Sequence, residues 1–284
     1  MLNLFEKPEN FTFLSLKAPL FNYILSGRTD GGFLVSRIAE VFGGDGSGKS
    51  TLGYNLLGSA QARGGLGVLI ETENALSSTS WIQSQGVDIS NLLLFQPESI
   101  DEVFSKIFPA VFDAMASLDV PSVIVWDSLA STHAEDSLDI VDAIRKHGTW
   151  LHSQIQKLNC ILIIINQVRY IPDVGEITLG GRALKSLCSA RLRLEKKEAE
   201  GRFFIGEARV SYSSLIPSGG ICRFALDTEN GGFSTLRSIK ATFDALEFYK
   251  HMGKSIFTGW SEFRKQDENI QVEKLLPYIL KRDF

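Results

Sequence analysis

The stretch VFGGDGSGKSTL, residues 41–52, decides the fold that this sequence predicts. Gly43 and Gly48 enclose four residues and are followed by Lys49 and Ser50, which is the pattern of a phosphate-binding loop. Glycines let successive backbone N–H groups point at one anion, and the positive end of the helix that should follow favours the same anion. A chance match, as a mere glycine-rich turn, is expected in about 1% of chains of this length. We therefore expect a nucleotide to bind here.

The same loop supplies the predicted ligands. Lys49 can reach the outer phosphates of a nucleotide, and the Ser50 hydroxyl can coordinate Mg²⁺. The predicted nucleotide-binding residues of the loop are Gly43, Gly44, Asp45, Gly46, Ser47, Gly48, Lys49, Ser50 and Thr51.

The composition is ordinary for a globular protein with one large α/β domain and a small appendage. Of 284 residues, 44% are hydrophobic and 22% are charged. The longest apolar run, CILIII from Cys160, is too short to span a bilayer, and the first residues do not form a signal peptide, so no membrane association is expected. The 3 widely spaced cysteines favour a reducing, cytoplasmic compartment. A net charge of −4 does not favour a polyanionic partner, but local patches can still bind one.

The rest of the chain alternates apolar strands with helical stretches, and the last part reads differently. This alternation predicts a mostly parallel sheet with helices on both faces. We expect a short N-terminal arm at residues 1–13, a core with the phosphate-binding loop at 14–238 and a small C-terminal α+β lobe at 239–284. The strand patterns are 37–42, 66–73, 91–96, 121–128 and 159–167, followed by an antiparallel pair at 190–197 and 202–212; the helical patterns are 51–62, 99–118 (divided at Pro109) and 141–158.

Polar side chains stand where the predicted strands end, and ligands of parallel sheets bind beyond those ends. Asp127 follows a buried strand and suits the carboxylate that holds Mg²⁺; the alternative is a turn cap. Glu73 suits a general base that deprotonates water, with Glu71 as its competitor. Gln167 stands where a terminal phosphate can be sensed, or it is only a capping amide.

Several blocks of sequence resemble the bacterial RecA recombinases, from about Leu14 to Phe263. The blocks occur in the family's order and at similar spacing: RIAEVFGGDGSGKSTL (37–52), ETENAL (71–76), GVDISNLLLFQP (86–97), VIVWDSLAS (123–131), INQVR (165–169) and GGRALKSLCSARLRL (180–194). The resemblance implies a RecA-type ATPase core, ATP and Mg²⁺ bound between subunits of a helical filament or ring, and single-stranded DNA along the filament axis.

The resemblance also implies roles for single residues. Lys49, Glu73 and Gln167 are the implied catalytic residues, with Gln167 relaying nucleotide state to DNA; Ser50 and Asp127 are the implied Mg²⁺ ligands. Trp81 stands where the family stacks a tyrosine on adenine, although a core tryptophan is the alternative. The second loop of the family is the implied DNA contact, through Arg169, Tyr170, Gly180, Gly181 and Arg182; the alternative is an ordinary exposed loop.

The sequence departs from the family in three places. The first DNA-facing loop is short and acidic, with Glu135, Asp136, Asp139 and Asp142, so it is a poor phosphate contact. The two lysines that reach a neighbour's terminal phosphate are absent: no lysine lies between Lys197 and Lys240, and Ser214 and Ile216 stand nearest those positions. Hydrolysis should therefore be slow, unless Arg223 or Arg237 substitutes. The family's N-terminal docking helix is also missing, leaving Leu2, Leu4 and Phe5 for a short packing strand.

Two functions of different class follow. The first is a compact recombinase, a DNA-dependent ATPase that pairs single-stranded DNA with homologous duplex DNA. The second is a RecA-like accessory protein that binds nucleotide and a protein partner without strand exchange. A phosphate-loop kinase for a small molecule is set aside by the NQVR and GGRALK blocks.

Overall fold

The computed structural model describes residues 11–73, 78–134, 137–216 and 218–248, without the side chains of 137–139 and 243–248. The strands are β1 (Phe13–Leu14), β2 (Phe33–Leu34), β3 (Arg37–Gly43), β4 (Gly67–Glu71), β5 (Leu92–Phe95), β6 (Ser122–Asp127), β7 (Cys160–Ile171), β8 (Gly175–Thr178), β9 (Cys188–Glu200), β10 (Phe203–Ser213) and β11 (Ile221–Asp227). The α-helices are α1 (Pro19–Ser26), α2 (Lys49–Gln61), α3 (Thr79–Ser84), α4 (Ile100–Glu102), α5 (Phe108–Met115), α6 (Ser137–Lys157), α7 (Gly181–Leu187) and α8 (Thr235–Phe248).

One large sheet organises these elements. Its strand order is β5-β4-β6-β7-β3-β9-β10-β11, and β8 pairs with the far end of β7. Neighbours from β5 to β9 are parallel, whereas β10 is antiparallel to both β9 and β11. The prediction of a mostly parallel sheet, with an antiparallel pair after it, is confirmed.

Helices cover both faces of the sheet because the central strands are apolar at consecutive positions. Leu69 belongs to a core cluster with Leu56 of α2, whereas the next residue, Ile70, packs in a second cluster with Phe108 of α5 and Ile155 of α6. Successive side chains of a strand point to opposite faces, so each buried strand feeds both clusters. The three cysteines are buried free thiols. No helix among the described residues has the length and apolarity needed to cross a membrane.

Pro109 divides the helical stretch that the sequence predicts at residues 99–118. The chain forms α4, then a π-helical segment at Val103–Ile107, then α5 with Pro109 in its first turn. Proline has no backbone N–H to donate to the preceding turn, and a π-turn absorbs that missing bond. The rings of Phe104 and Phe108 then meet the buried Trp126 edge-on.

Helix α8 closes the outer edge of the sheet. Hydroxyl oxygens of Ser238 and Thr242 accept hydrogen bonds from the backbone N–H groups of Ala225 (2.9 Å) and Arg223 (3.1 Å) in β11. Ile239, between them, is fully buried in the core. The boundary predicted between residues 238 and 239 therefore falls inside this helix. Most of the predicted C-terminal lobe, like residues 1–10 of the arm, lies outside the described residues.

Candidate functional site

The loop between β3 and α2 depends on its glycines for steric reasons. A Cβ atom at Gly43 would lie 2.0 Å from the carbonyl oxygen of Leu194, so no side chain fits there. Gly46 and Gly48 have φ angles of 64° and 92°, in the left-handed region that favours glycine. Gly44 has open space around it. The sequence pattern thus corresponds to a loop that turns sharply between a buried strand and a helix.

Lys49, the first residue of α2, folds back over this loop. Its Nζ donates hydrogen bonds to the carbonyl oxygens of Gly43 (3.1 Å) and Gly44 (2.8 Å). Burial lowers the pKa of the Lys49 ammonium, and the nearby carboxylates of Asp45, Asp127 and Glu73 oppose this change. The ammonium group is therefore held at the loop among acidic groups.

The predicted strand-end residues meet the loop in one cavity of about 390 Å³. Parallel strands end at the same edge of a sheet, and this is why Glu73, Asp127 and Gln167 come together although they are far apart in sequence. The cavity is lined by Asp45, Gly46, Ser47, Gly48, Lys49, Ser50, Thr51, Glu73, Asp127, Gln167 and Leu226.

Asp127 is a buried carboxylate of this cavity with one oxygen left unsatisfied by the described residues. It is 5% exposed, and within the described part of the chain its Oδ1 has no hydrogen-bond partner. Burial raises the pKa of Asp127 to about 6; a hydrogen bond with Ser50 and the charge of Lys49 lower it, and the charge of Glu73 raises it. An unpaired carboxylate oxygen beside a hydroxyl suits a hard cation, so the predicted pair of Ser50 and Asp127 fits Mg²⁺.

That cation would need further ligands. No cluster of three or more His, Cys, Asp or Glu side chains suited to a metal occurs among the residues that the structure describes. Mg²⁺ typically retains water and binds substrate phosphates in addition to one or two protein groups. A donor set of one hydroxyl and one carboxylate, Ser50 and Asp127, therefore fits Mg²⁺ that arrives with a nucleotide.

The structure separates the two acids that the sequence left as competitors. Glu71 is 3% exposed, and its carboxylate accepts hydrogen bonds from the backbone N–H of Glu73 (2.9 Å) and from Gln96 Nε2 (3.0 Å). Glu73 instead lines the cavity. Glu71 is thus a buried structural residue next to the cavity, whereas Glu73 is the acid whose carboxylate can contact a bound reactant.

Two serines that sequence reasoning missed hold Glu73. Its Oε1 lies 2.8 Å from the Ser128 hydroxyl and 3.3 Å from the Ser131 hydroxyl. The side chain of Gln167 donates to the same oxygen from Nε2, also at 3.3 Å. Both serines follow the end of β6, Ser128 directly after Asp127 and Ser131 three residues later, and this position beyond a strand end is the signal that the sequence offered.

The predicted second loop is a β-hairpin followed by a helix. The end of β7 pairs with β8, and it carries Arg169 and Tyr170 on the surface, with Tyr170 75% exposed. Gly180, with a φ of 85°, is the N-terminal cap of α7, and a Cβ there would lie 2.9 Å from Leu184 Cβ. Gly181 and the exposed Arg182 open the helix itself. The five predicted DNA residues thus lie on two consecutive elements.

Trp81 lies apart from the phosphate cavity as described. It is half-buried on α3 and packs against the first core cluster, and its backbone N–H is capped by the Ser78 hydroxyl at 3.3 Å. Stacking of Trp81 on a nucleotide base stays a prediction.

The two arginines considered as substitutes for the missing lysines have partners within the chain. Arg223 is mostly buried and pairs with Glu207 at 3.2 Å. Arg237 pairs with Glu200 at 3.6 Å and lies over the ring of Phe203. Neither is an uncommitted cation.

The acidic first loop is described only in part. Glu135, Asp136 and the side chain of Asp139 lie outside the described residues. The exposed carboxylate of Asp142 pairs with Arg145 of the same helix at 3.1 Å.

A glycine-rich phosphate loop between β3 and α2, with acids at the ends of neighbouring parallel strands, defines the class of phosphate-loop α/β proteins. The family model of the RecA N-terminal domain matches residues 24–204. Because the match covers more than half of the chain, the protein belongs to the RecA family.

Curated relatives are similar over part of their length. The chain is 35% identical to protein RecA of Acholeplasma laidlawii strain PG-8A over 191 residues, which cover 62% of this chain and 56% of the relative. It is 35% identical over 180 residues to protein RecA of the Wolbachia of Brugia malayi, covering 58% and 49%. It is 31% identical over 210 residues to protein RecA of Aquifex aeolicus, covering 66% and 58%. The chain thus spans about half the length of the curated relatives it matches.

Proposed function

We propose that this protein is an ATP-dependent recombinase that assembles on single-stranded DNA and pairs it with homologous duplex DNA. One contact carries the proposal: Gln167 Nε2 lies 3.3 Å from Glu73 Oε1 in the phosphate cavity. Gln167 is also the residue from which β7 continues into the exposed hairpin with Arg169 and Tyr170. Because Gln167 contacts the predicted general base Glu73 and also leads into the hairpin predicted to bind DNA, it is suited to link ATP binding to DNA binding.

In this proposal the loop binds the phosphates of ATP. Backbone N–H groups of the loop and the first turn of α2 point at the phosphates, and the helix dipole adds to the attraction. When ATP binds, the Lys49 ammonium leaves the carbonyl oxygens of Gly43 and Gly44 and binds phosphate oxygens instead. Because the phosphate oxygens are charged, they form the stronger hydrogen bonds. Mg²⁺, held near Ser50 and Asp127, would neutralise phosphate charge. Glu73, oriented by Ser128, Ser131 and Gln167, accepts a proton from the attacking water.

The DNA side of the proposal rests on the hairpin and on α7. Arg169 and Arg182 are exposed cations that can neutralise phosphates, and Tyr170 offers an exposed ring for a base. Backbone of Gly180 and Gly181 brings the chain close to the ligand without side chains in between.

Binding to a fluorescent oligothymidylate tests the proposal. We expect the protein to shift the oligonucleotide in an electrophoretic assay, and a non-hydrolysable ATP analogue with Mg²⁺ to increase its affinity for the oligonucleotide. Lys49→Ala should lose this increase in affinity. Gln167→Ala should still bind the analogue but lose the gain in DNA affinity. A protein that binds the analogue and never binds the oligonucleotide would contradict the recombinase.

A specific observation favours a second candidate, an accessory protein that acts through a protein partner. The segment from 198 to 239 has no lysine, and Arg223 and Arg237 are already paired within the chain. Without a cation from a neighbouring subunit, filament formation and ATP hydrolysis are weakly linked. Nucleotide binding together with failed filament formation on DNA, seen by electron microscopy, would select this candidate.

A further inference from the structure

A buried carboxylate outside the predicted site lies beside the phosphate loop. Glu40 of β3 has 0% exposure, and its two oxygens accept hydrogen bonds from residues on both neighbouring strands. Asn166 Nδ2 of β7 donates to Oε1 at 3.0 Å, and Arg191 Nε of β9 donates to Oε2. The carboxylate is therefore paired with a charge and satisfied on both oxygens.

Each of these two partners also contacts the segment that closes the hairpin. Arg191 donates from its second nitrogen to Thr178 Oγ1 at 3.2 Å, and Asn166 Nδ2 also donates to the carbonyl oxygen of Leu179 at 2.9 Å. Thr178 is the last residue of β8. Both hydrogen-bond partners of the Glu40 carboxylate, Arg191 and Asn166, therefore also bind the segment where the chain leaves the hairpin.

The same residues touch the nucleotide side. The guanidinium of Arg191 lies 4.6 Å from the ring centre of Phe42, which directly precedes Gly43 of the loop. Asn166 Oδ1 accepts from the backbone N–H of Gln167 at 3.0 Å, and Gln167 contacts Glu73. Two lines of contacts therefore run to the base of the hairpin, one from the loop through Arg191 and one from Glu73 through Gln167 and Asn166. The carboxylate of Glu40 joins Arg191 to Asn166 and so connects the two lines.

Stability alone is a weak reason for such a pair. A buried ion pair loses hydration on folding, and apolar residues of similar volume often stabilise a protein equally well. Networks of hydrogen bonds that connect two sites carry coupling between them when their geometry changes. The position of Glu40, in contact with both neighbours of β3, suits that role.

We propose that Glu40 is a positioning residue that transmits the state of the phosphate loop, through Arg191 and Asn166, to Thr178 and Leu179 at the base of the hairpin. The inference rests on the proposed function only in that a nucleotide binds at the loop. DNA binding is not needed for its test.

A thiol probe on the hairpin tests this transmission directly. Val174, 69% exposed at the hairpin tip, is replaced by cysteine and labelled with an environment-sensitive fluorophore; the native cysteines are at most 4% exposed and escape labelling. A non-hydrolysable ATP analogue with Mg²⁺ is titrated, which gives both the affinity for the analogue and the change in emission at the hairpin.

Position 178 offers a matched pair of variants. Thr178→Val removes the acceptor of Arg191 without touching the buried ion pair, whereas Thr178→Ser keeps the hydroxyl. We expect Thr178→Val to lose most of the nucleotide-induced emission change while its affinity for the analogue stays within about threefold. That change in affinity is smaller than the roughly fivefold or more of a typical coupling between two sites. Thr178→Ser should keep the emission change. Glu40→Gln should lose it as well, and the pair at 178 decides the test if Glu40→Gln does not fold.

Glu176→Gln is the specificity control, because it removes the negative charge from the outer, more exposed ion pair of the hairpin with Arg193 and leaves one acceptor in place of two. It should keep the emission change. An equal loss in Glu176→Gln and Thr178→Val would overturn the inference, as would an unaltered change in Thr178→Val. Analogue binding with no emission change in the parent protein overturns the inference alone, whereas absent analogue binding also overturns the proposed function.

Discussion

At the scale of single residues, Glu71 and Glu73 differ in their surroundings although they stand two positions apart: Glu71 is buried, and Glu73 lines the cavity. We expect Glu73→Gln to lower kcat for ATP by about 10²–10³-fold with little change in nucleotide binding, because a general base contributes an effect of this size. Glu71→Gln should instead lower the free energy of unfolding by about 1–3 kcal/mol, since an amide nitrogen would face either the backbone N–H of Glu73 or Gln96 Nε2, which both donate. Turnover assays and urea unfolding on both variants separate the effects. Loss of turnover in folded Glu71→Gln, with Glu73→Gln active, would reverse the assignment.

Asp127 should make the ligand-free protein less stable at neutral pH. Its folded-state pKa of about 6 lies above the ordinary value of 3.8, so the folded protein binds this proton more tightly than the unfolded chain. The stabilising contribution is present at low pH and is lost as the pH rises from about 4 to about 6. We expect Asp127→Asn to raise the free energy of unfolding by about 2 kcal/mol above pH 7, and the gain to vanish near pH 4.

Urea unfolding of Asp127→Asn across this pH range checks the expectation, with Asp113→Asn, an exposed aspartate on α5, as the control. The same Asp127→Asn variant should bind Mg²⁺–ATP more weakly, because it loses the carboxylate that suits the cation. A gain in stability that is equal at every pH would argue against the titration of Asp127.

The sequence could predict which strand ends form the candidate nucleotide site, but not which side chains of that site contact one another. The spacing of glycines, Lys49 and Ser50 is local, and the ends of parallel strands converge by geometry, so the loop and Asp127 follow from pattern. The contacts of Ser128 with Glu73, and of Gln96 with Glu71, join residues at the ends of different strands. Such contacts depend on rotamers and burial, which a single sequence does not specify.

At the scale of elements, the hairpin and α7 should carry most of the contact with single-stranded DNA. Each phosphate contact contributes about 0.7 to the slope of log K against log salt for single strands. Replacing Arg169 and Arg182 by alanine should therefore weaken binding and flatten the slope by about one to two contacts. Fluorescence anisotropy with an oligothymidylate at several salt concentrations measures both quantities.

The control for this prediction removes two cations from other elements. Arg28 and Lys106 pair with Asp30 and Glu102 on the surface, and their double alanine variant should keep the parent slope. If the parent and the Arg169/Arg182 variant share one affinity and one slope, the DNA contact lies elsewhere, and the accessory protein becomes the better candidate.

Elements with a strong period were predictable, and the hairpin was not. Strands β6 and β7 contain continuous apolar runs, and α6 has apolar residues at helical spacing. Such patterns reflect burial on one or two faces and can be recognised in the sequence. Most residues from 168 to 178 are exposed, and only Thr178 at the end is buried, so the sequence has no clear apolar alternation here and indicated only a loop. Their pairing is a backbone ladder between β7 and β8, and the bond from Arg191 to Thr178 ties its base to the core.

At the scale of the whole molecule, slow turnover should follow from the missing interfacial lysines. We expect the double variant Ser214→Lys/Ile216→Lys, in the turn between β10 and β11, to raise DNA-dependent kcat by about tenfold, because a cation at the terminal phosphate stabilises the transition state. The rate of phosphate release with saturating single-stranded DNA measures the effect. Ala116→Lys/Ser117→Lys, on exposed residues at the end of α5, adds the same charge and should not raise the rate.

An unchanged rate in Ser214→Lys/Ile216→Lys, together with intact nucleotide binding, would mean that neighbouring subunits do not share the site. That result would count against an assembly in which ATP lies between subunits.

The hydroxyl groups of α8 also determine where the chain can be shortened. A fragment that ends at residue 238, the boundary that composition suggests, would keep Ser238 but lose Ile239 and Thr242. The N–H of Arg223 would then lack its acceptor, and β11 would present an open edge on which another strand can add. Such a fragment should precipitate or pair edge to edge, whereas one that retains the helix should stay monodisperse. The core predicted at residues 14–238 therefore has to include α8 in order to fold by itself.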